Sequence, residues 1–165
     1  MNAIVAVDNN WAIGKGQELL FHIEEDLKRF KEMTTGKVVV MGRKTFETLP
    51  HRRPLPNRTN IVLSKDIFYQ RPGVNVVHFV HEVVYMCPKK YKEEDIFIIG
   101  GSKIYNEFLE YIDDVYVTKI YASVNDADKF FPNLDLNRDF EIINKSDIFN
   151  ENGLEYQFIH YKRIK

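Results

Sequence analysis

Val38-Val39-Val40-Met41-Gly42-Arg43-Lys44-Thr45 runs from an unbroken apolar stretch, through one glycine, into two cations and a hydroxyl. A short β-branched run without alternation reads as a strand buried on both faces, the habit of a parallel sheet covered by helices. Ile96-Phe97-Ile98-Ile99-Gly100-Gly101-Ser102-Lys103 repeats the arrangement farther along. Around these two junctions, β-branched runs alternate with helical periodicity, which predicts an α/β fold with crossover helices.

Outward from the junctions, Ala3–Val7 reads as a buried strand and Asp8–Leu20, with Gly14 and Gly16 and no period, as a loop. A helix is predicted over Ile23–Met33, a strand over Val38–Met41, a short helix over Lys44–Thr48 and a Pro-rich turn from Pro50 to Asn57. Strands follow at Ile61–Leu63 and Val74–Val80, then a helix from His81–Met86 that should stop before Pro88. Ile96–Ile99 is the next strand, Lys103–Leu109 a helix and Val115–Ala122 a strand. The tail has two period-two stretches, Phe140–Ser146 and Glu155–Ile164, separated by Asn150-Glu151-Asn152-Gly153. They read as an antiparallel hairpin with a long connection at one side of the sheet.

Composition sets the limits. With 165 residues, 44% of them apolar, and no linker or repeat, one domain spanning 1–165 is expected. A net charge of −1 gives no basic balance for nucleic-acid binding. Cys87 is the only cysteine and the apolar runs stop at five residues, so neither a disulfide, a signal peptide nor a membrane span is expected. A reducing, cytoplasmic setting follows as the expectation. His78 and His81 lack partners at metal-ligand spacing, Cys87 has no CxxC partner, and no Gly-x-Ser-x-Gly elbow exists.

The segment Ile23–Met33 carries the chemical signal. At about 100° per residue, Ile23, Leu27 and Phe30 share a face, while Glu24, Glu25, Lys28, Arg29 and Glu32 fall opposite. Asp26 instead projects between Phe30 and Met33, at the edge of the apolar stripe. It either favours the positive helix terminus or lines an apolar cleft, where desolvation favours its neutral form and suits it to proton transfer. The two strand-to-helix junctions offer free N–H groups beside Arg43, Lys44 and Lys103, which favours an anion; the alternative is a pair of solvated helix starts. Neither is a G-x-G-x-x-G or Walker A loop. Two junctions together favour a dinucleotide. Lys65, after Ser64, is a third phosphate contact or a solvated strand end.

These pieces resemble bacterial dihydrofolate reductases over the whole chain. The resemblance rests on Trp11-Ala12-Ile13-Gly14-Lys15, Asp26-Leu27-Lys28-Arg29-Phe30-Lys31, Val40–Glu47, Pro54–Ser64, Ile98–Tyr105, Val117-Thr118-Lys119-Ile120 and Asp128–Pro132, in the family's order. It implies an eight-stranded, mostly parallel central sheet flanked by helices, and NADPH-dependent reduction of 7,8-dihydrofolate to tetrahydrofolate by a monomer. Asp26 matches the ionisable residue at the pterin, and Thr118 the hydroxyl that buttresses it. Arg58 matches the cation for the glutamate tail. Ile4, Val5, Leu27, Phe30, Leu49, Leu55 and Ile99 match apolar walls around the substrate rings. Gly42, Arg43, Lys44, Thr45, Ser64, Lys65, Ile99, Gly100, Gly101, Ser102, Lys103 and Tyr105 match NADPH-contacting positions, with Ala6, Ile13 and Gly14 near the nicotinamide. Leu19-Leu20-Phe21 departs from the family's Leu-Pro-Trp or Met-Pro-Trp, losing a proline restraint and an indole donor. Ala127 replaces a common glycine before Asp128, which bears on how the two loops pair. The pyrimidine-reducing relatives of riboflavin synthesis are the nearest enzyme alternative, and Asp26 with Arg58 argues against them; a catalytically idle folate- or mRNA-binding relative is the other, disfavoured by the near-neutral charge and the intact acid.

Overall fold

The apolar runs form the middle of one sheet in the computed structural model, which describes residues 1–165. In chain order the elements are β1 (Asn2–Val7), β2 (Ala12–Lys15), β3 (Glu18–Leu19), α1 (Glu24–Thr34), β4 (Val38–Gly42), α2 (Arg43–Glu47) and β5 (Thr59–Leu63). They continue with β6 (Asn75–Val77), β7 (Ile96–Gly100), α3 (Ser102–Phe108), β8 (Asp114–Ile120), β9 (Lys129–Phe130), β10 (Phe140–Glu151) and β11 (Leu154–Arg163). The large sheet has the order β10-β11-β8-β1-β7-β4-β5-β6. Its strands from β8 to β6 are parallel, and the terminal hairpin adds antiparallel strands beside β8.

Alternation along each strand divides the sheet into two faces. Ala3, Val5, Val7, Val38, Val40, Ile96, Ile98, Val115 and Val117 join the main core, which α3 closes with Ile104 and Phe108. Val39, Met41 and Val62 face the other way with Phe46 of α2. The chain lays β4, β5 and β6 outward on one side, returns to insert β7 beside β1, and places β8 beyond β1. Strand order therefore reverses next to β1 and β7, the place where open α/β sheets hold ligands beyond their carboxyl ends.

Four expectations need correction. The glycine-bearing stretch Asp8–Leu20 is not all loop: β2 and β3 pair, and with β9 they make a separate sheet of order β3-β2-β9. The strands are only four and two residues long and their outer partner β9 lies more than a hundred residues away, so no local period marks them. The strand expected over Val74–Val80 is only Asn75–Val77. Pro88 does not end the helical stretch that precedes it, because a wide turn at Glu82–Met86 passes into a 3-10 turn at Cys87–Lys89. Pro88 stands in the first turn of that new segment, where no N–H is required. The terminal hairpin has a tight connection rather than a long one: Asn152 and Gly153 take φ of 54° and 87°, the left-handed pair that a two-residue hairpin turn demands. Register shifts in β10 between Ile142 and Asn144 and between Lys145 and Ile148 break the alternation that would have revealed its full length. No helix is long and apolar enough to cross a membrane.

Helix α1 starts without a cap of its own, since Ile23 at the capping position has no side-chain oxygen. The carboxylate of Glu151, at the end of β10, substitutes for it by accepting from the N–H groups of Glu24 at 2.8 Å and Glu25 at 3.4 Å. Glu151→Ala should therefore cost about 1 kcal/mol of stability, read as a lower urea midpoint at unchanged denaturant dependence.

Candidate functional site

Asp26 lies in the first turn of α1, where the helix crosses the second face of β8 and β1. Thr118 of β8 donates its hydroxyl to Asp26 Oδ1 at 2.5 Å. Register places Thr118 beside Ala6 of β1 and Phe158 of β11, so all three share this face. The recess around Asp26 is otherwise apolar, lined by Ala6, Ala12, Ile13, Leu19, Leu20, Phe21, Ile23, Leu27 and Ile120. Burial raises the Asp26 carboxyl above the usual range, while the Thr118 hydrogen bond and the Arg29 charge oppose the shift. A carboxyl so placed holds its proton to higher pH than a solvated one and can exchange it with a bound ligand.

At the other end of α1 stands Arg58. Its Nε donates to the Pro56 carbonyl at 2.9 Å and an Nη to Thr34 Oγ1 at 3.1 Å. Thr34, the last residue of the helix, donates in turn to the Phe30 carbonyl at 2.7 Å. The remaining guanidinium N–H groups are available for an anion. Buried Asn60 fixes the approach: its side chain bonds Leu55 N and O at 2.9 Å each and the Arg58 carbonyl at 3.1 Å. Eight residues of helix set Asp26 and Thr34 roughly 12 Å apart along the axis. Between them Leu27 remains 43% exposed despite its apolar side chain. Leu49, Leu55 and Ile99 pack together on the same side of the sheet as the second core.

The two strand-to-helix junctions come side by side. A Cβ on Gly101 would stand 3.3 Å from Thr45 Oγ1, and one on Gly42 would meet Ile104 at 2.9 Å. Gly42 therefore serves the close approach of α3 to β4. The Lys65 and Lys103 ammonium groups are exposed yet mutually close, and the Lys103 charge lowers the proton affinity of Lys65. Such a pair suits a phosphate, which would relieve the repulsion. Arg43 is already engaged by Glu47 at 3.1 Å, and the Ser64 hydroxyl accepts from Asp66 N at 3.2 Å. Lys44 is exposed and Ser102 half-buried at the start of its helix.

Some expected residues sit elsewhere. Val5 is on the opposite face of β1 from Ala6, its side chain in the main core, because alternate strand residues point in opposite directions. Tyr105 is enclosed beneath Gly100, with its hydroxyl donating to the Ile4 carbonyl at 2.7 Å. Burial raises its phenol far above the ordinary value. Arg29 is not on the solvent face of α1: its guanidinium lies 4.2 Å over the Phe158 ring. The loop bearing Ala127 does pair with the glycine-bearing segment. Asp128 Oδ1 accepts from Gly16 N at 2.8 Å, Asp128 N donates to the Gly14 carbonyl at 3.2 Å, and Lys15 forms an ion pair with Asp126. Asn60 and Thr34 had gone unassigned and Arg29 had been placed on the opposite helix face; only Asn60, a polar residue opening a buried strand, left a visible trace in the sequence.

Comparison with known proteins agrees with this geometry. The family model described as dihydrofolate reductase matches residues 1–163. A dihydrofolate reductase of Staphylococcus aureus is 34% identical, covering 100% of this chain and 99% of its own. One from Bacillus subtilis is 35% identical over 97% of this chain and 92% of its own. The solved structure of dihydrofolate reductase from Enterococcus faecalis, complexed with NADP(H) and RAB-propyl, superposes with a TM-score of 0.85 at 35% identity, covering 99% and 96% of the two chains. With a carboxylate and its hydroxyl partner at one end of α1, an arginine at the other and paired junctions alongside, the chain belongs to the dihydrofolate reductase family.

Proposed function

We propose that the protein reduces 7,8-dihydrofolate to 5,6,7,8-tetrahydrofolate with NADPH, by hydride transfer to the pterin and protonation at N5. The observation that carries this reading is Asp26, held by Thr118 in an apolar recess, with Arg58 at the far end of the same helix. A pterin offers a cyclic N–H and a 2-amino group to a carboxylate, and its glutamate tail offers carboxylates to a guanidinium. Helix α1 spaces the two partners to suit such an elongated molecule.

Asp26 orients the pterin and promotes arrival of the proton. Thr118 keeps the carboxylate in one rotamer. Leu27, Phe30, Leu49, Leu55, Ile4 and Ile99 provide the apolar walls, and Ala6, Ile13 and Phe21 exclude water from the reacting end. The cofactor's phosphates would rest on Arg43, Lys44, Thr45, Ser64, Lys65, Gly101, Ser102 and Lys103, where the two junctions and the lysine pair meet. When bound, NADPH supplies the hydride. An absorbance assay with dihydrofolate and NADPH tests the reading: no consumption of cofactor by well-folded protein would overturn it.

Asp26→Asn should abolish most of the turnover at neutral pH and remove the fall in rate as pH rises through the Asp26 titration. The same substitution should stabilise the ligand-free protein. Because burial raises the Asp26 pKa, the folded state binds more protons than the unfolded one between the two titrations, so wild-type stability falls as pH rises through that window. The variant escapes that loss. Its thermal midpoint should exceed the wild type's at pH about 7 and converge with it below about pH 4.

Arg58→Ala should raise the Michaelis constant for dihydrofolate about 30–150-fold, the equivalent of roughly 2–3 kcal/mol for a partly desolvated arginine–carboxylate pair. The maximal rate should change little, because this contact is alike in ground and transition states. A pterin substrate without the glutamate tail should be indifferent to the change, as the double cycle of substitution and tail removal will read.

Cofactor selectivity gives a third outcome. A 2′-phosphate beside Arg43 and Lys65 should favour NADPH over NADH by at least about tenfold, roughly 1.4 kcal/mol. Steady-state kinetics of Lys65→Ala and Arg43→Ala should show a smaller ratio, and added salt should weaken NADPH more than NADH.

A further inference from the structure

Arg29 stands one turn beyond Asp26 on α1 and is turned toward the sheet rather than the solvent. Its guanidinium carbon lies 4.2 Å from the centre of the Phe158 ring, and its Nη1 is buried without a hydrogen-bond partner in the protein. Burying a cation that way is costly unless an opposite charge stands near. Phe158 is the cross-strand partner of Thr118, and Thr118 donates to Asp26 at 2.5 Å. Directly opposed strand residues share a face with their Cβ atoms about 4.5–5.5 Å apart. Helix positions three apart likewise share a side. Both constraints bring the guanidinium and the carboxylate to adjacent spots above the same patch of β8 and β11.

The charged and ionisable surroundings hold no other cation for Asp26. Of the phenols that feel the Asp26 charge, Tyr105 of α3 lies in the main core and Tyr156 of β11 in the cluster with Ile23 and Ile120, and Glu25 of α1 and Glu151 of β10 act on Tyr156. Arg29 itself faces Tyr116 of β8, whose other charged neighbours are Asp114 and Lys162. Stacking on Phe158 restrains the guanidinium, and partial burial keeps water from screening it.

We propose that Arg29 is a positioning residue of the folate site, the fixed countercharge that decides how readily Asp26 gives up its proton. This rests on the reading of Asp26 as the proton-linked group in dihydrofolate reduction. Without the guanidinium, burial acts on Asp26 against the Thr118 hydroxyl alone, so the carboxyl holds its proton to higher pH. Hydride transfer then persists into more alkaline solution. A residue that only packed against Phe158 would move stability and leave the pH profile where it was.

The test uses the full chain with Arg29→Met, Arg29→Lys and Phe158→Leu. In Arg29→Met the midpoint of the pH–rate profile for hydride transfer should rise by about one unit, while Arg29→Lys should restore the wild-type midpoint. Phe158→Leu should lower thermal stability and move the profile by clearly less than Arg29→Met, because it loosens the guanidinium but keeps its charge. The Asp26 carboxyl, followed by carbon-13 chemical shift in the ligand-free protein, should show the same rise in Arg29→Met with no turnover involved. Should Arg29→Met not fold, Arg29→Gln provides the same two readings. An Asp26 carbon shift that titrates alike with and without the Arg29 charge would overturn the proposal, as would equal profile shifts in Arg29→Met and Phe158→Leu. If the carbon-13 midpoint moves and the rate profile does not, the coupling of Arg29 to Asp26 stands and the assignment of Asp26 to the reaction falls.

Discussion

The hydrogen bond from Thr118 to Asp26 joins the helix to the sheet at the point where a charge is buried. It is a local contact with distant requirements. Thr118 points toward α1 only because β8 lies parallel to β1 with Thr118 opposite Ala6. A slip of one residue would present Val117 or Lys119 to Asp26 and leave the carboxyl in an apolar recess without a donor. The register is protected by the other face, where Val115 and Val117 are buried in the main core alongside Val5 and Val7. Packing on one side of the sheet thus specifies chemistry on the other.

That division also explains where the structure tolerates exposed or costly groups. The main core takes in twenty-four buried residues, and the clusters on the ligand side are far smaller. Leu27 stays exposed and Asp26 carries its carboxyl into an apolar recess, both at the cleft and neither favourable to the isolated fold. Such residues are affordable because stability is concentrated on the opposite face.

What could be read from the sequence follows the same line. The central strands were legible because burial on both faces leaves unbroken β-branched runs, as at Val38–Met41. Asp26 was legible because a carboxylate beside an apolar stripe contradicts its surroundings. The β2–β3 pair, the length of β10 and the tight Asn152-Gly153 turn were not, since glycine, register shifts and distant pairing erase local period. Arg29 was misplaced for a different reason. Helical phase assigns a direction to the Cα–Cβ bond, while a long side chain with an apolar stem can bend back over an aromatic ring. The opposite facing of Val5 and Ala6 was implicit in strand alternation, and only the resemblance had grouped them. The pterin partnership of Asp26 and the tail contact of Arg58 came from that resemblance, whereas the phosphate reading of Arg43, Lys44 and Lys103 came from the two junctions themselves.

Helix α1 acts as the ruler of the site, yet it does not fix its own ends. No side chain within it caps its first turn; Glu151, from the sheet's edge strand β10, does so. At its last turn, Thr34 accepts from Arg58, which leads directly into β5 near the opposite edge. The helix therefore hangs between two distant parts of one sheet, with Thr118 holding its carboxylate near the middle strands. Each strand inserted between those anchors adds about 4.8 Å, so the placement of Asp26 relative to Arg58 depends on sheet order as much as on helix length. Distortion at either edge would tilt the helix and move both ligand contacts together. An elongated substrate held at two ends reports that tilt at once, which makes the full eight-stranded sheet part of the site even though most of its residues never face the cleft.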